Sequence, residues 1–340
     1  MDTSDPGIEF DSDGVCGHCR GAYFHIQKSW FPDSAGESKA KSTFADIRKS
    51  GENSKYDSII GISGGVDSAV VALRAVENGL RPLLIHVDGG WNTKESVQNI
   101  RSITEELGLD LKTIVIDWEE MKKVQIAFLK SGTLNQDIPQ DHAFFVSLYK
   151  AAMDMSINVI ISGINYATES VQPVSWGHNN MDGRNLLNIY KRFFPNDPLM
   201  AFPIASSEYF AKEFDRSTFE VFYPLNYGSY NPEIEIKGLI EKFNWLDYGS
   251  KHEESIFTKW FQSVYLYERY AIDIRRAHQS CLIISGLTTR EKALKLLETQ
   301  PINDQEKRHV TRIVAQKLGL QENELLNIMK ISKKLNSFYD

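Results

Sequence analysis

The sequence predicts an α/β fold: a doubly wound, parallel, five-stranded sheet followed by a helical C-terminal cap. Three observations carry this. From Tyr56 to Ile161, short continuous apolar runs alternate with amphipathic stretches of helical period, the pattern of parallel strands covered on both faces. The first run opens directly into Ser63-Gly64-Gly65-Val66-Asp67-Ser68, a glycine-rich strand-to-helix junction. Beyond Pro224 the apolar period is helical throughout.

The elements follow in order. Residues 1–54, rich in Gly, Ser, Asp and Lys, read as an irregular segment with one short helix near Phe44–Ile47 and the pair Cys16-Gly17-His18-Cys19. The expected sheet domain spans 55–230. Its first strand is Ile59-Ile60-Gly61-Ile62, and Ala69, Val70, Leu73 and Val76 then form a helical stripe closed by Asn78-Gly79. Leu83–Val87, Thr113–Ile116 and Val159–Ile161 supply the next strands, and alternation over Thr218–Tyr223 predicts the fifth. Gln172 to Lys212 is long, polar and aromatic without strong periodicity, the usual mark of a lid or substrate loop. Asn231-Pro232 caps the first helix of a C-terminal region, 231–340, with further helices over Phe257–Tyr270, Ala277–Ile284, Thr289–Leu297, Gln305–Leu318 and Glu322–Leu335.

A chain of 340 residues, 42% apolar, buries an ordinary globular core. The net charge of −7 argues against a nucleic-acid binder working by general phosphate neutralisation. No stretch approaches a membrane span, so no membrane insertion is expected. Three cysteines make no disulfide framework, and a reducing cytoplasm is the expected compartment.

The hexapeptide is the most chemically specific stretch. It sits at a helix N-terminus, where unpaired N–H groups and the helix dipole attract anions. Gly64 and Gly65 let backbone approach a ligand closely. Ser63 and Ser68 add hydroxyls, and Asp67 beside phosphates makes sense if Mg²⁺ bridges the two. The spacing fits neither the Walker loop nor the dinucleotide fingerprint. It resembles the SGGxDS signature of the PP-loop ATP pyrophosphatases, a HUP-like superfamily that splits ATP between its α and β phosphates to adenylate a substrate. Ile62, Ser63, Gly64, Gly65, Val66, Asp67 and Ser68 are thus the expected ATP site, with Asp67 and Ser68 in catalytic roles. His86, Val87 and Asp88 after the second strand, and Ser162 and Gly163 after the fourth, join it because ligands bind at the carboxyl ends of parallel strands. Taken alone, Asp88 reads equally well as a turn cap.

A second polar group is expected to hold the acceptor substrate. Lys251, His252 and Glu254 lead into a helix mixing Phe257 and Phe261 with Thr258 and Gln262, a polar pocket wall rather than pure core. Trp176, His178 and Asp182 fit sugar contacts. Arg275 and Arg276 are included, although such pairs more often make surface salt bridges.

Several runs are similar to the N-acetyl sugar amidotransferase family within the PP-loop superfamily: Pro6–Asp11 with Cys16 and Cys19, Asp137–His142, Trp245–Gly249 with Lys251, His252, Glu254 and Ser255, Arg275–His278, and Thr289-Arg290-Glu291. The resemblance covers nearly the whole chain. It implies conversion of the acetamido group of an N-acetylated nucleotide sugar to an acetamidino group, for bacterial surface polysaccharide, with ATP and Mg²⁺. Ammonia would come from a separate glutaminase, since no cysteine here stands in a nucleophile context. Family members carry a further C-x-x-C just before the segment that begins here Met1-Asp2-Thr3. With Cys16 and Cys19 alone, the expectation is either a partial Zn²⁺ site or two free thiols. Cys281, in an apolar helical context, reads as core. The rival readings are a PP-loop tRNA thiolase and a non-catalytic nucleotide-binding partner of a glutaminase.

Overall fold

A computed structural model of the chain describes residues 1–331 other than 4, 6, 207, 210, 211 and 213–218. Pro6, Thr218 and residues 332–335 of the expected last helix therefore lie outside the described residues. Five strands, β1 (Ser58–Gly61), β2 (Pro82–Asp88), β3 (Leu111–Val115), β4 (Val159–Ile161) and β5 (Glu220–Phe222), form one sheet in the order β3-β2-β1-β4-β5. Every neighbouring pair is parallel, with Ile59 facing Leu83 on one side and Ile160 on the other. The order runs outward from β1 in both directions, so the switch point lies between β1 and β4, where a crevice opens beyond the strand ends.

Burial follows this order. Ile59, Ile60 and Ile161 in the central strands are fully buried, whereas edge strand β3 exposes Leu111 and Val115. One face of the sheet is covered by α2 (Ser34–Ser50), α3 (Val66–Glu77), α4 (Lys94–Leu107) and α9 (Pro232–Phe243), which share a core around Phe44, Val70, Ile103 and Leu239. The other carries α5 (Trp118–Ser131), α6 (Ile138–Asp154) and α8 (Gly183–Phe193), packed through Phe128, Ala152 and Tyr190.

The N-terminal stretch departs from the irregular segment expected of it. It holds α1 (Gly17–Ser29) and the 17-residue α2, capped by Asp33 Oδ1 accepting from the Gly36 amide at 2.8 Å. Ala40, Phe44 and Ile47 do lie on one helical face, but intervening Ser, Lys and Thr dilute the signal. The stretch expected as a lid likewise holds α8 and a 3₁₀ turn, Val174–Trp176.

The C-terminal helices share a core with the sheet layer. Trp91, Leu129 and Leu134 pack with Phe257, Trp260, Tyr265 and Cys281. Within this region Ile256–Trp260 and Leu266–Tyr270 are α-helical, and Phe261–Tyr265 between them is a π turn, a local widening common beside functional sites.

Candidate functional site

Ile62 and the hexapeptide leave β1 and enter α3 at the switch point. Gly64 sits at φ +83°, where a Cβ would stand 2.4 Å from the Ser96 carbonyl oxygen. Gly65, the N-cap, leaves no room either: a Cβ would meet Glu254 Oε1 at 2.6 Å. Gly64 therefore demands glycine, by conformation and by the backbone it meets, whereas at Gly65 a side chain would have to push Glu254 aside. Ser68 Oγ donates to the Gly65 carbonyl at 3.0 Å and Ser63 Oγ accepts from the Gly65 amide at 3.2 Å. The Val66 amide donates to Tyr248 Oη at 3.0 Å.

Three distant segments close on this loop. Ser63 Oγ donates to Glu254 Oε1 at 3.2 Å. Asp67 accepts from Tyr230 through Oδ1 and pairs with Lys251 Nζ at 2.7 Å through Oδ2. Lys251 also reaches Glu169 Oε1, on the short helix α7 (Tyr166–Glu169), at 3.0 Å and Thr168 Oγ1 at 3.0 Å. Burial works against the ammonium, yet the carboxylates of Asp67 and Glu169 hold its pKa well up. Burial raises Glu254 too, helped by the nearby Asp67 charge, and its Oε2 is buried with no hydrogen-bond partner. His252, at φ +67°, and His278 stand with ring centroids 6.1 Å apart. The side chain of His252 is 39% accessible because it faces a cavity. Burial in the cavity wall, then the Lys251 charge, keeps both imidazoles neutral, His278 with a pKa lowered to about 4.

Two cavities adjoin the loop. One of about 290 Å³ lies at the switch point between Ser63–Ser68, Ser162, Gly163 and the rings of Phe144 and Phe145. The other, about 690 Å³, runs from Ser63, His86 and Val87 across Asp137, Gln140 and Trp176 to Thr258, Gln262 and His278.

Residues 57–170, which hold the loop, match the family model for queuosine biosynthesis protein QueC. Residues 254–340 match that for LPS biosynthesis protein WbpG-like, C-terminal domain. Over residues 57–170 the chain is thus similar to a PP-loop ATPase family. The hexapeptide lies in the PP-loop-like segment, and the last quarter is similar to a WbpG-like C-terminal domain. No curated protein matches the chain. Among solved structures it is similar to an NH3-dependent NAD synthetase from Campylobacter jejuni, in complex with the nitrate ion, at 15% identity over 80% of this chain and 95% of that one, TM-score 0.36. It is also similar to an NMN synthetase from Francisella tularensis at 16% identity over 64% and 100%, TM-score 0.33.

The superfamily implies ATP and Mg²⁺, and the residues at the PP-loop fit both. The two glycines leave a backbone cradle that a Cβ would fill, at the N-terminus of α3. Asp67 and the unpartnered Oε2 of Glu254 offer the one or two carboxylates that Mg²⁺ takes alongside phosphate oxygens and water. Zn²⁺ does not fit. Cys16 caps α1, its Sγ accepting from the Cys19 amide at 3.4 Å, and among the described residues no group of three His, Cys, Asp or Glu is placed to hold a metal. His18, next to the pair, is engaged by Asp5 at 2.6 Å.

The remaining candidates divide by position. Both ring nitrogens of His86 are used, Nδ1 with the Ile62 carbonyl at 3.0 Å and Nε2 with Asn92 Nδ2 at 3.0 Å, so the ring shapes the PP-loop wall. Asp88 closes its own turn, accepting from the Gly90 amide at 2.8 Å, and lines neither cavity. Trp176 and His178 line the larger cavity. Asp182 lies behind His178 at 2.9 Å and caps α8. Arg275 and Arg276, expected in the acceptor pocket, are outside both cavities: Arg275 pairs with Asp273 at 2.7 Å and binds the Thr299 carbonyl, and Arg276 pairs with Asp2. Sequence reasoning missed Glu169 and Tyr230 around the PP-loop, since each joins it only through the fold.

Proposed function

We propose that this chain is an ATP-dependent amidotransferase that activates the acetamido group of an N-acetylated nucleotide sugar and replaces its oxygen with nitrogen. One observation carries the reading: Ser63 of the PP-loop and Glu254, the first residue of the WbpG-like domain, are hydrogen-bonded at 3.2 Å and line one cavity. A segment of the ATP-splitting superfamily and one matching an LPS biosynthesis domain thus wall a common space of about 690 Å³. Its further lining of Asn92, Asn135, Gln172, Asn179, Gln262 and Trp176 suits a hydroxylated ligand.

An amide carbon is a poor electrophile because its oxygen leaves badly. In the proposed first step the acetamido oxygen attacks the α-phosphorus of ATP, the new P–O bond forms, and the bond to the β-phosphate oxygen breaks with its electron pair on pyrophosphate. Ser63, Gly64, Gly65 and Ser68 cradle that pyrophosphate, and Lys251 offsets its charge. Asp67 and Glu254 would hold Mg²⁺, which would supply charge neutralisation to the phosphates. In the second step nitrogen attacks the activated carbon and AMP leaves. The protein mainly positions the groups and excludes water.

Nitrogen is proposed to come from a separate glutaminase. Cys281 is buried, its Sγ accepting from the Val171 amide at 3.2 Å and its thiol pushed up by burial, and burial pushes Cys19 up to about 11. The same facts disfavour a thiolase, which needs a reactive sulfur. Among the described residues no helix is long and apolar enough to cross a membrane, and a cytoplasmic site of action remains part of this proposal. Incubating the chain with ATP, ammonium and a panel of UDP- and CMP-linked acetamido sugars tests the reading. AMP, pyrophosphate and a product carrying NH in place of O are expected; a panel that yields none of them refutes it.

A further inference from the structure

Six residues line both cavities: Ser63, Asp141, Phe144, Glu169, His252 and Glu254. They form the neck between the PP-loop pocket and the larger one. Three carboxylates stand there, and two are engaged, Glu169 by Lys251 at 3.0 Å and Glu254 by Ser63 at 3.2 Å. Asp141 has no Lys or Arg against it among the described residues and accepts only a 3.4 Å contact from Asn180 Nδ2. Its place is nevertheless fixed. One residue on, His142 Nδ1 donates to the Asn180 carbonyl at 2.7 Å and its Nε2 accepts from the Ala205 amide at 3.2 Å. One turn earlier, Asp137 accepts from Gln140 at 2.9 Å and Thr258 at 3.2 Å. Two further polar atoms in these walls are buried without a partner, Glu254 Oε2 and Nε1 of Trp176, which is 9% exposed. A carboxylate with no Lys or Arg against it among the described residues, on the wall shared by two cavities, calls for a cationic or hydrogen-bonding ligand.

We propose that Asp141 holds the incoming nitrogen as ammonium at this neck and accepts the proton it must shed to attack the activated acetamido carbon. The inference rests on the amidotransferase reading above. Ammonium gives one proton to Asp141 and becomes ammonia. Its lone pair forms the C–N bond while the C=N π pair moves onto the sugar nitrogen. The adduct loses a second proton to water, the C–O bond breaks with its pair on the AMP oxygen, and the amidinium is left. Burial, with the Glu169 charge and against the Asn180 amide, lifts the Asp141 carboxyl to about 6, near the working pH a general base needs. Asp137 on the same helix, Glu169, Glu254, His178, His252 and His278 are among the other titratable groups of these walls, with Asp67 and Lys251 on the smaller cavity.

The test compares nucleophiles in Asp141→Asn. Hydroxylamine is largely unprotonated at neutral pH, and its adduct sheds a proton to water readily, so it needs the carboxylate little. Ammonium-supported amidine formation should fall ~100-fold with a raised KM for ammonium, and the ammonium-to-hydroxylamine rate ratio should fall at least ~30-fold. Asp141→Glu should recover part of the ratio. An unchanged ratio, whether both rates fall or neither does, overturns the inference. Wild-type chain that releases no pyrophosphate with ATP and any acceptor overturns the amidotransferase reading, and this inference with it.

Discussion

Replacing Lys251 by Met removes the one ammonium seated between Asp67 and Glu169. The lysine side chain is 19% exposed and its partners 18% and 16%, at 2.7 and 3.0 Å. Breaking a fully buried pair costs ~3–5 kcal/mol, because an uncompensated charge stays behind. Cavity water screens this one in part, so about 3 kcal/mol is expected, a fall in Tm of ~4–6 °C for a chain of this size. The ammonium is held above its ordinary pKa, so its contribution is complete below the unfolded lysine value and lost only as pH rises through the still higher folded one. The difference between wild type and Lys251→Met should therefore hold constant across neutral pH. Thermal and urea unfolding measure it, with Asp67→Asn added in the Lys251→Met background to recover part of the loss. A Tm within ~1 °C of wild type would refute the argument that this lysine neutralises the PP-loop carboxylates.

Further expectations concern the same walls. Asp67→Ala should cut ATP-dependent pyrophosphate release at least ~100-fold in the purified chain, and an active mutant would remove Asp67 from the site. Gly64→Ala forces a side chain to φ +83° against the Ser96 carbonyl at 2.4 Å, and should cost about 2 kcal/mol together with ATP affinity measured by calorimetry. His278, lowered by burial to about 4, contributes stability present above its unfolded value near 6.5 and lost as pH falls toward 4. Asp141, raised to about 6, acts with the opposite sign between 3.8 and 6. His278→Gln should consequently lose less Tm than wild type on acidification from pH 6.5 to about 5, on the order of 1 kcal/mol. Dialysis against a chelator should leave Tm unchanged and elemental analysis should find substoichiometric zinc; tightly bound zinc at one equivalent would restore Cys16 and Cys19 as ligands.

Much of the fold was legible because its signals are local. Ile59, Ile60 and Ile62 need only be consecutive and apolar to read as a buried strand, and Gly64-Gly65 need only precede a helical stripe to read as an anion cradle. Sequence similarity over 251–255 also drew attention to Lys251, His252 and Glu254. Where the local signal was diluted, as by the serines and lysines of α2, a helix of 17 residues was legible only as a short one near Phe44–Ile47. Arg275 and Arg276, expected in the acceptor pocket, instead pair with the buried Asp273 and with Asp2 of the N-terminal segment.

By itself, then, the sequence determined the parallel sheet, the loop that opens from its first strand and the kind of ligand such a loop takes. Those properties depend on residues within a turn or two of one another. Only the tertiary structure decided which side chains meet there. It set Lys251 against Asp67 across 184 positions of chain and Glu254 against Ser63 across 191. It also left Asp141 at the neck of two cavities with no Lys or Arg paired to it among the described residues. Pairing of that kind follows from how helices dock on the sheet, and no spacing along the chain encodes it.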